Sequence, residues 1–182
     1  MPVSSAASDR AVALLREHGA AGIAHPGGTL LAHLRRVQDR LAAWGARPAL
    51  RLAGLCHAFY GTDGFPDALL PLDRRAELAA AVGTEAEALV YLYASCDRRA
   101  TCPTLADPDG PFHDRFTGRS HVPDPRSRRD FAELSAANEL DLARTDPGFR
   151  DQWGPELLTL FTRIHPLLSR RAWADTQEVL AG

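Results

Sequence analysis

The stretch that decides the fold is HPGGTLLAHLRRVQDRLAAWG, residues 25–45, continued at residues 53–65 by AGLCHAFYGTDGF. Its first half reads as punctuation followed by a helix. His25-Pro26-Gly27-Gly28 breaks the chain and Thr29 offers an N-cap hydroxyl. Leu30, Leu34, Val37, Leu41 and Trp44 then recur at three- and four-residue steps until Gly45 stops the run. The spacing predicts a helix over 30–44. Residues 49–60 (ALRLAGLCHAFY) are apolar on almost every side, which predicts a central helix surrounded by protein, and Gly61-Thr62-Asp63-Gly64 is a strong turn signal that ends it.

Outward from this pair the chain keeps to helical patterns. An amphipathic helix is expected over 8–18, closed by Gly19. Others are expected over 73–82 and 84–97, the latter opening with Thr84 and Glu87 at capping-box spacing. Residues 101–126 are rich in proline and hold no sustained period, so they are read as a long loop that covers a pocket or moves. Helices resume at 127–144, 155–164 and 167–181, and no strand is evident. The expectation is an all-α chain forming a single helical bundle of about six to eight helices, its core spanning 20–165. A chain of 182 residues is long enough for one core and should bury roughly 70% of its unfolded surface.

Composition narrows the function classes. The formal net charge is −2, so the basic surface that nucleic-acid binding demands is missing, and no nucleic-acid partner is expected. No segment approaches the roughly 20 apolar residues of a membrane span, and MPVSSAASDRAV carries no apolar leader, so a cytoplasmic protein without a membrane partner is expected. Cys56, Cys96 and Cys102 are odd in number and sparse, and are read as free thiols. All 21 Lys and Arg positions are arginine, which, with the many Ala, Gly and Pro, fits a GC-rich bacterial genome and specialised metabolism. The apolar C-terminal segments ELLTLFTRIHPLL and RRAWADTQEVL either finish the core or form a homodimer face.

Candidate chemistry gathers around two histidines. His33 lies on the flank of the buried face of its helix, and His57 lies on the helix that is apolar all round. A buried imidazole must be hydrogen-bonded, metal-bound or stacked, because leaving it unsatisfied costs about 1–3 kcal/mol. Late in the chain Phe131, Leu134, Asn138 and Asp141 step by three, four and three residues, which places Asn138 and Asp141 on a core-facing stripe and turns Glu139 away from it. A buried Asp needs a cation or an ion pair, and Arg98 or Arg99 is the expected partner if the role is structural. His25 is placed to line the mouth of a pocket. Tyr60 and Thr62 either offer hydroxyls beside His57 or cap its turn. Arg98 suits a carboxylate or phosphate, while His113, Asp114 and Arg115 belong to the long loop and are expected to be solvated.

His33 and His57 stand 24 positions apart on consecutive helices, the second within AGLCHAFYGT. This resembles the H…HD spacing of HD-domain phosphohydrolases and their relatives, which include guanosine-tetraphosphate hydrolases and diiron oxygenases related to myo-inositol oxygenase. More narrowly, HPGGTLLAHLRRVQDRLAAWG with AGLCHAFYGTDGF and the later CDRR and ANELD segments resembles an uncharacterised bacterial HD-like family, over roughly residues 20–145. The resemblance implies an HD-like helical bundle and a metal-binding site. The chain departs from the motif at Ala58, where an HD protein has the aspartate after its second histidine. It also lacks the further histidine-bearing helices of the diiron members. What the resemblance leaves is His33, His57 and Asp141 as a two-histidine, one-carboxylate set for one Fe, Mn or Zn ion.

The leading expectation is therefore a small-molecule enzyme with one divalent metal and hydrolase-type chemistry on a phosphoester or related anionic substrate. The same pocket without a cofactor suits acid–base catalysis by an isomerase, cyclase or lyase, with His57 transferring a proton and Asp141 orienting it. An iron-dependent oxygenase and a non-catalytic ligand-binding domain are the remaining readings.

Overall fold

A computed structural model describes residues 3–182, with side chains from Ala6 onward. Met1 and Pro2 of the segment read as lacking a leader lie outside the described residues. The architecture is all-α, and the eight predicted helices are all present. With a ninth, the one-turn α6, the described helices are α1 (Val3–Glu17), α2 (Leu30–Ala43), α3 (Pro48–Cys56), α4 (Arg75–Val82), α5 (Thr84–Ser95), α6 (Arg98–Thr101), α7 (Pro125–Thr145), α8 (Pro147–Arg163) and α9 (Arg170–Leu180). No helix among the described residues is long and apolar enough to cross a membrane.

Local chemistry sets the helix ends. Thr29 caps α2, its hydroxyl accepting the Ala32 amide at 3.2 Å, as its position predicts. α3 opens on Pro48 at its first turn and stops at Cys56, four residues before the expected end. The reason lies in His57, which occupies the C-cap and whose Nδ1 stands 2.7 Å from the Gly54 carbonyl, so that the imidazole takes an acceptor at the end of the helix. Gly61, at φ +69°, then turns the chain. The capping box expected at Thr84 does not form: Gly83 holds the cap position, and the Glu87 carboxylate accepts from the Tyr60 hydroxyl and from Arg75 instead. α8 begins at Pro147 rather than at 155 because Asp146 caps it, accepting the Phe149 amide, and because a proline at N1 suits a helix start; Pro155 is accommodated inside it.

Two short hairpins correct the expectation that no strand occurs. β1 (Ala24–His25) pairs antiparallel with β2 (Gly28–Thr29) around Pro26-Gly27, and β3 (Phe112–Asp114) pairs with β4 (Arg119–His121). Strands of two or three residues leave no alternation for sequence reading to detect. The 101–126 segment is accordingly not a structureless loop. Arg128, buried on α7, donates to the carbonyls of Leu105, Pro108 and Gly110, and Phe112 packs edge-on against Phe131 with ring centroids 5.0 Å apart.

α2, α3, α5 and α7 pack on one another around the centre of the core, with α1 and α4 on one side and α8 and α9 on another. Phe161, Ile164, Ala172 and Val179 are buried, so the C-terminal helices complete this core. The most extensive helix–helix contact is between α2 and α3. A Cβ placed on Gly54 would meet Leu41 Cδ1 at 2.5 Å and Val37 Cγ1 at 3.4 Å, so the absence of a side chain at 54 lets the two helices sit at the separation that brings His33 toward His57. Gly54→Ala should overpack this contact and lower stability by about 1–3 kcal/mol, read from urea unfolding. An unchanged unfolding midpoint would show that Leu41 simply rotates away.

Candidate functional site

Four helices and one hairpin bring the candidate residues together. α2 supplies His33 and Arg36, the end of α3 supplies His57, α5 supplies Tyr93, α7 supplies Asn138, Glu139 and Asp141, and β1 supplies His25. His33, His57, Asn138 and Asp141 are 1%, 3%, 8% and 2% exposed, so the cluster is part of the interior. Every polar atom in it therefore requires a partner.

The partners follow a definite order. His33 Nδ1 lies 2.7 Å from Asp141 Oδ2, and Arg36 grips the same carboxylate with Nε at 2.8 Å and Nη2 at 3.0 Å. Nε2 of His33 and Nε2 of His57 both reach Asn138 Oδ1, at 3.0 and 3.1 Å. The Asn138 amide nitrogen contacts Glu139 Oε1 at 3.4 Å, and Arg98 holds Glu139 from Nη1 at 2.9 Å. Burial alone would raise the Asp141 carboxyl, but the hydrogen bonds from His33 and Arg36 hold it below the usual carboxylate range, so it is an ionised acceptor. The Gly54 carbonyl can also only accept. Nδ1 of each ring therefore donates to its outer partner, and the bare Nε2 of the neutral His57 meets Asn138 Oδ1 with no proton between them, a contact and not a hydrogen bond.

Aromatic contacts line the rest. His25 stacks on His33 with ring centroids 4.2 Å apart and planes at 28°, Phe65 meets His25 edge-on, and Tyr93 packs edge-on to His57 at 5.3 Å. Burial, with His33 next, lowers His57 to about 3 and His25 to about 4. Both are neutral imidazoles near pH 7. Nδ1 of His25 is sealed from solvent with no hydrogen-bond partner among the described residues. The hairpin that carries His25 is tied down by Arg36, which donates to the carbonyls of Pro26 and Gly27.

The expected site residues thus divide. His25, His33, His57, Asn138 and Asp141 are brought together. Arg98 stands behind Glu139 and also meets the Tyr93 hydroxyl at 2.7 Å, so it borders the cluster without touching the histidines. Tyr60 donates to Glu87 on α5 and the Thr62 hydroxyl accepts the Phe65 amide within the turn after α3, so neither hydroxyl is directed at the histidines. Glu139 is buried and bonded, contrary to the expectation that it faces away. Asp141 orients His33 and not His57, whose Nδ1 is taken by the Gly54 carbonyl, and the cation paired with Asp141 is Arg36 and not Arg98 or Arg99. Arg36 is one helical turn after His33, and that spacing was the available signal. Asp114 caps the second hairpin's turn by accepting the Phe116 and Thr117 amides.

The divalent ion implied by the HD resemblance needs His33, His57 and Asp141 to converge, and the donors do not fit it. Asp141 stands at the Nδ1 edge of His33, whereas His57 points its Nε2 at Asn138 beyond the opposite edge. Residue 58 is alanine and offers no ligand. Among the described residues no three His, Cys, Asp or Glu side chains are grouped so as to hold a metal ion. The place between the two Nε2 atoms is taken by a neutral carboxamide.

Residues 14–98 match a family model described as a domain of unknown function (DUF6817). The matched span holds His25, His33, Arg36, Gly54, His57, Tyr93 and Arg98 and stops short of Asn138 and Asp141. No curated protein and no solved structure matches the chain.

The lowered histidines make stability depend on pH. Between pH 6.5 and about 4 the unfolded chain binds protons at positions 25 and 57 that the folded chain excludes, so stability rises with pH across this window and falls on acidification. The melting temperature should drop from about pH 7 to about pH 5, and more steeply than in His25→Gln. Parallel pH profiles for the two proteins would contradict this assignment.

Proposed function

We propose that the chain is a small-molecule enzyme that works by acid–base chemistry, with His33 as the group that moves the proton and Asp141 as the residue that orients it. The observation that carries the reading is the 2.7 Å bond between His33 Nδ1 and an Asp141 carboxylate held on both oxygens by Arg36. A carboxylate so fixed holds one tautomer of the imidazole and stabilises the imidazolium that forms when Nε2 takes a proton.

In this reading a substrate displaces Asn138 from His33 Nε2 and yields a proton from a C–H or O–H bond to that nitrogen. His33 returns it to another atom of the same molecule, so atoms and charge balance as an isomerase, cyclase or lyase requires. His57, a neutral acceptor, stands at the same position with Nε2 free to take a hydrogen bond from the substrate. Stacked on His33, the His25 ring covers one face of the base. Entry requires that ring to move, and its unpartnered Nδ1 becomes available to a ligand when it does.

Once a substrate has been found by screening biosynthetic intermediates and small phosphoesters, Asp141→Asn is the decisive variant. Turnover should fall by roughly 10²- to 10⁴-fold, with the metal content of untagged protein unchanged. Loss of several kcal/mol of stability with full activity per folded molecule would instead make the His33–Asp141–Arg36 cluster a structural ion pair. His57→Ala should abolish turnover and leave the far-ultraviolet dichroism of the fold in place.

A further inference from the structure

The two imidazoles end on one side chain. Nδ1 of His33 is engaged by Asp141 and Nδ1 of His57 by the Gly54 carbonyl, so both rings are locked with their Nε2 atoms turned to the same point. Asn138 fills that point, its Oδ1 at 3.0 and 3.1 Å from the two nitrogens. An outer acceptor on Nδ1 with Nε2 facing inward is the way a protein prepares a histidine to ligate an ion. Two of the three requirements of a two-histidine, one-carboxylate centre are therefore built here. The third is not met at residue 138, which is neutral, and Asp141 sits at the Nδ1 edge of His33, where Arg36 holds it.

We infer that Asn138 is the residue that decides what this pocket holds: as a carboxamide bridging the two imidazoles it leaves them to protons, and a carboxylate at the same position would turn them into a divalent-metal site. The inference rests on the metal-free acid–base reading. Its physical basis is charge. With Asn138 no inward-facing group carries a negative charge, so nothing offsets the cost of stripping water from a divalent ion in an interior site. With a carboxylate there, the ion meets one full negative charge and two imidazoles already oriented by Asp141 and Gly54, the donor set that suits Fe, Mn, Co or Zn. Glu139 cannot take this role, because Arg98 neutralises it and it approaches the amide nitrogen rather than the histidines.

The test uses cobalt(II), whose visible bands report coordination directly, on untagged full-length protein stripped with a chelator. The native chain should show no cobalt band and no rise in melting temperature with the ion. Asn138→Asp should give a cobalt spectrum of one ion per chain, with affinity at least about 100-fold above native, and the added change His57→Ala should abolish it. If Asn138→Asp fails to fold without an ion, recovery of its helical dichroism when it is refolded with cobalt supports the inference, and failure to recover overturns it. A native protein that binds cobalt as tightly as the variant, through a band lost in His57→Ala, overturns both the inference and the acid–base reading. Absence of binding in both proteins overturns the inference alone and leaves the acid–base reading standing.

Discussion

An ionised carboxylate among apolar helices is stable only if it is paired, and Asp141 is the point where this protein meets that constraint. Its partners come from one turn of α2, His33 and Arg36, and together they fix how α2 lies against α7. Arg36 extends the same constraint to the first hairpin through the carbonyls of Pro26 and Gly27, which holds His25 over His33. α3 joins on the other side because Gly54 allows close approach to Leu41. Removing one member of such a buried set typically costs about 3–5 kcal/mol, since the survivor keeps its charge without compensation. The geometry of the imidazole pair is thus a consequence of charge pairing and of one missing side chain.

The same solution recurs across the core. Glu87 is matched by Arg75, Asp130 by Arg47, Glu139 by Arg98 and Asp175 by Arg40. Arginine suits these pairs because its planar fork can bind one carboxylate by two bonds, as Arg75 binds Glu87, or span two partners, as Arg47 spans Asp130 and Glu85 and Arg98 spans Glu139 and the Tyr93 hydroxyl, and because it is less strongly hydrated than an ammonium group. Arg75 also stacks on Tyr91, with its guanidinium carbon 3.9 Å from the ring centre. The arginine-only composition, which by itself speaks of base composition in a genome, therefore has a structural use.

Helices were legible in the sequence where an apolar stripe is long and the caps are explicit. α2 follows from Thr29 and its three- and four-residue steps, and Asn138 and Asp141 are core-facing because they share the stripe of Phe131 and Leu134. The end of α3 was not legible, because it is set by the His57 ring reaching back to Gly54, a contact that no propensity encodes. Nor could periodicity assign partners. The one-turn spacing of Arg36 after His33 puts both on one face of α2, but it is the crossing of α2 on α7 that gives Asp141 to Arg36 and leaves Arg98 to Glu139. The hairpins escaped notice because two or three residues cannot show alternation. Glu139 was misplaced for a related reason: a helix packed against several neighbours has no single polar side to which a charged residue can be consigned.

Arg128 has a consequence for how the molecule comes apart. Its buried guanidinium binds only main-chain oxygens, at Leu105, Pro108 and Gly110, and so replaces, with one side chain, the ladder that a sheet or helix would give this stretch. The segment has little regular structure of its own between Thr104 and Phe112, so its order is borrowed from α7. When the first turns of α7 fray, those three carbonyls lose their donor together and the segment is released with them. Local opening there is a single cooperative event that joins residues about twenty positions apart, a unit of partial unfolding defined by a side chain rather than by a secondary-structure boundary.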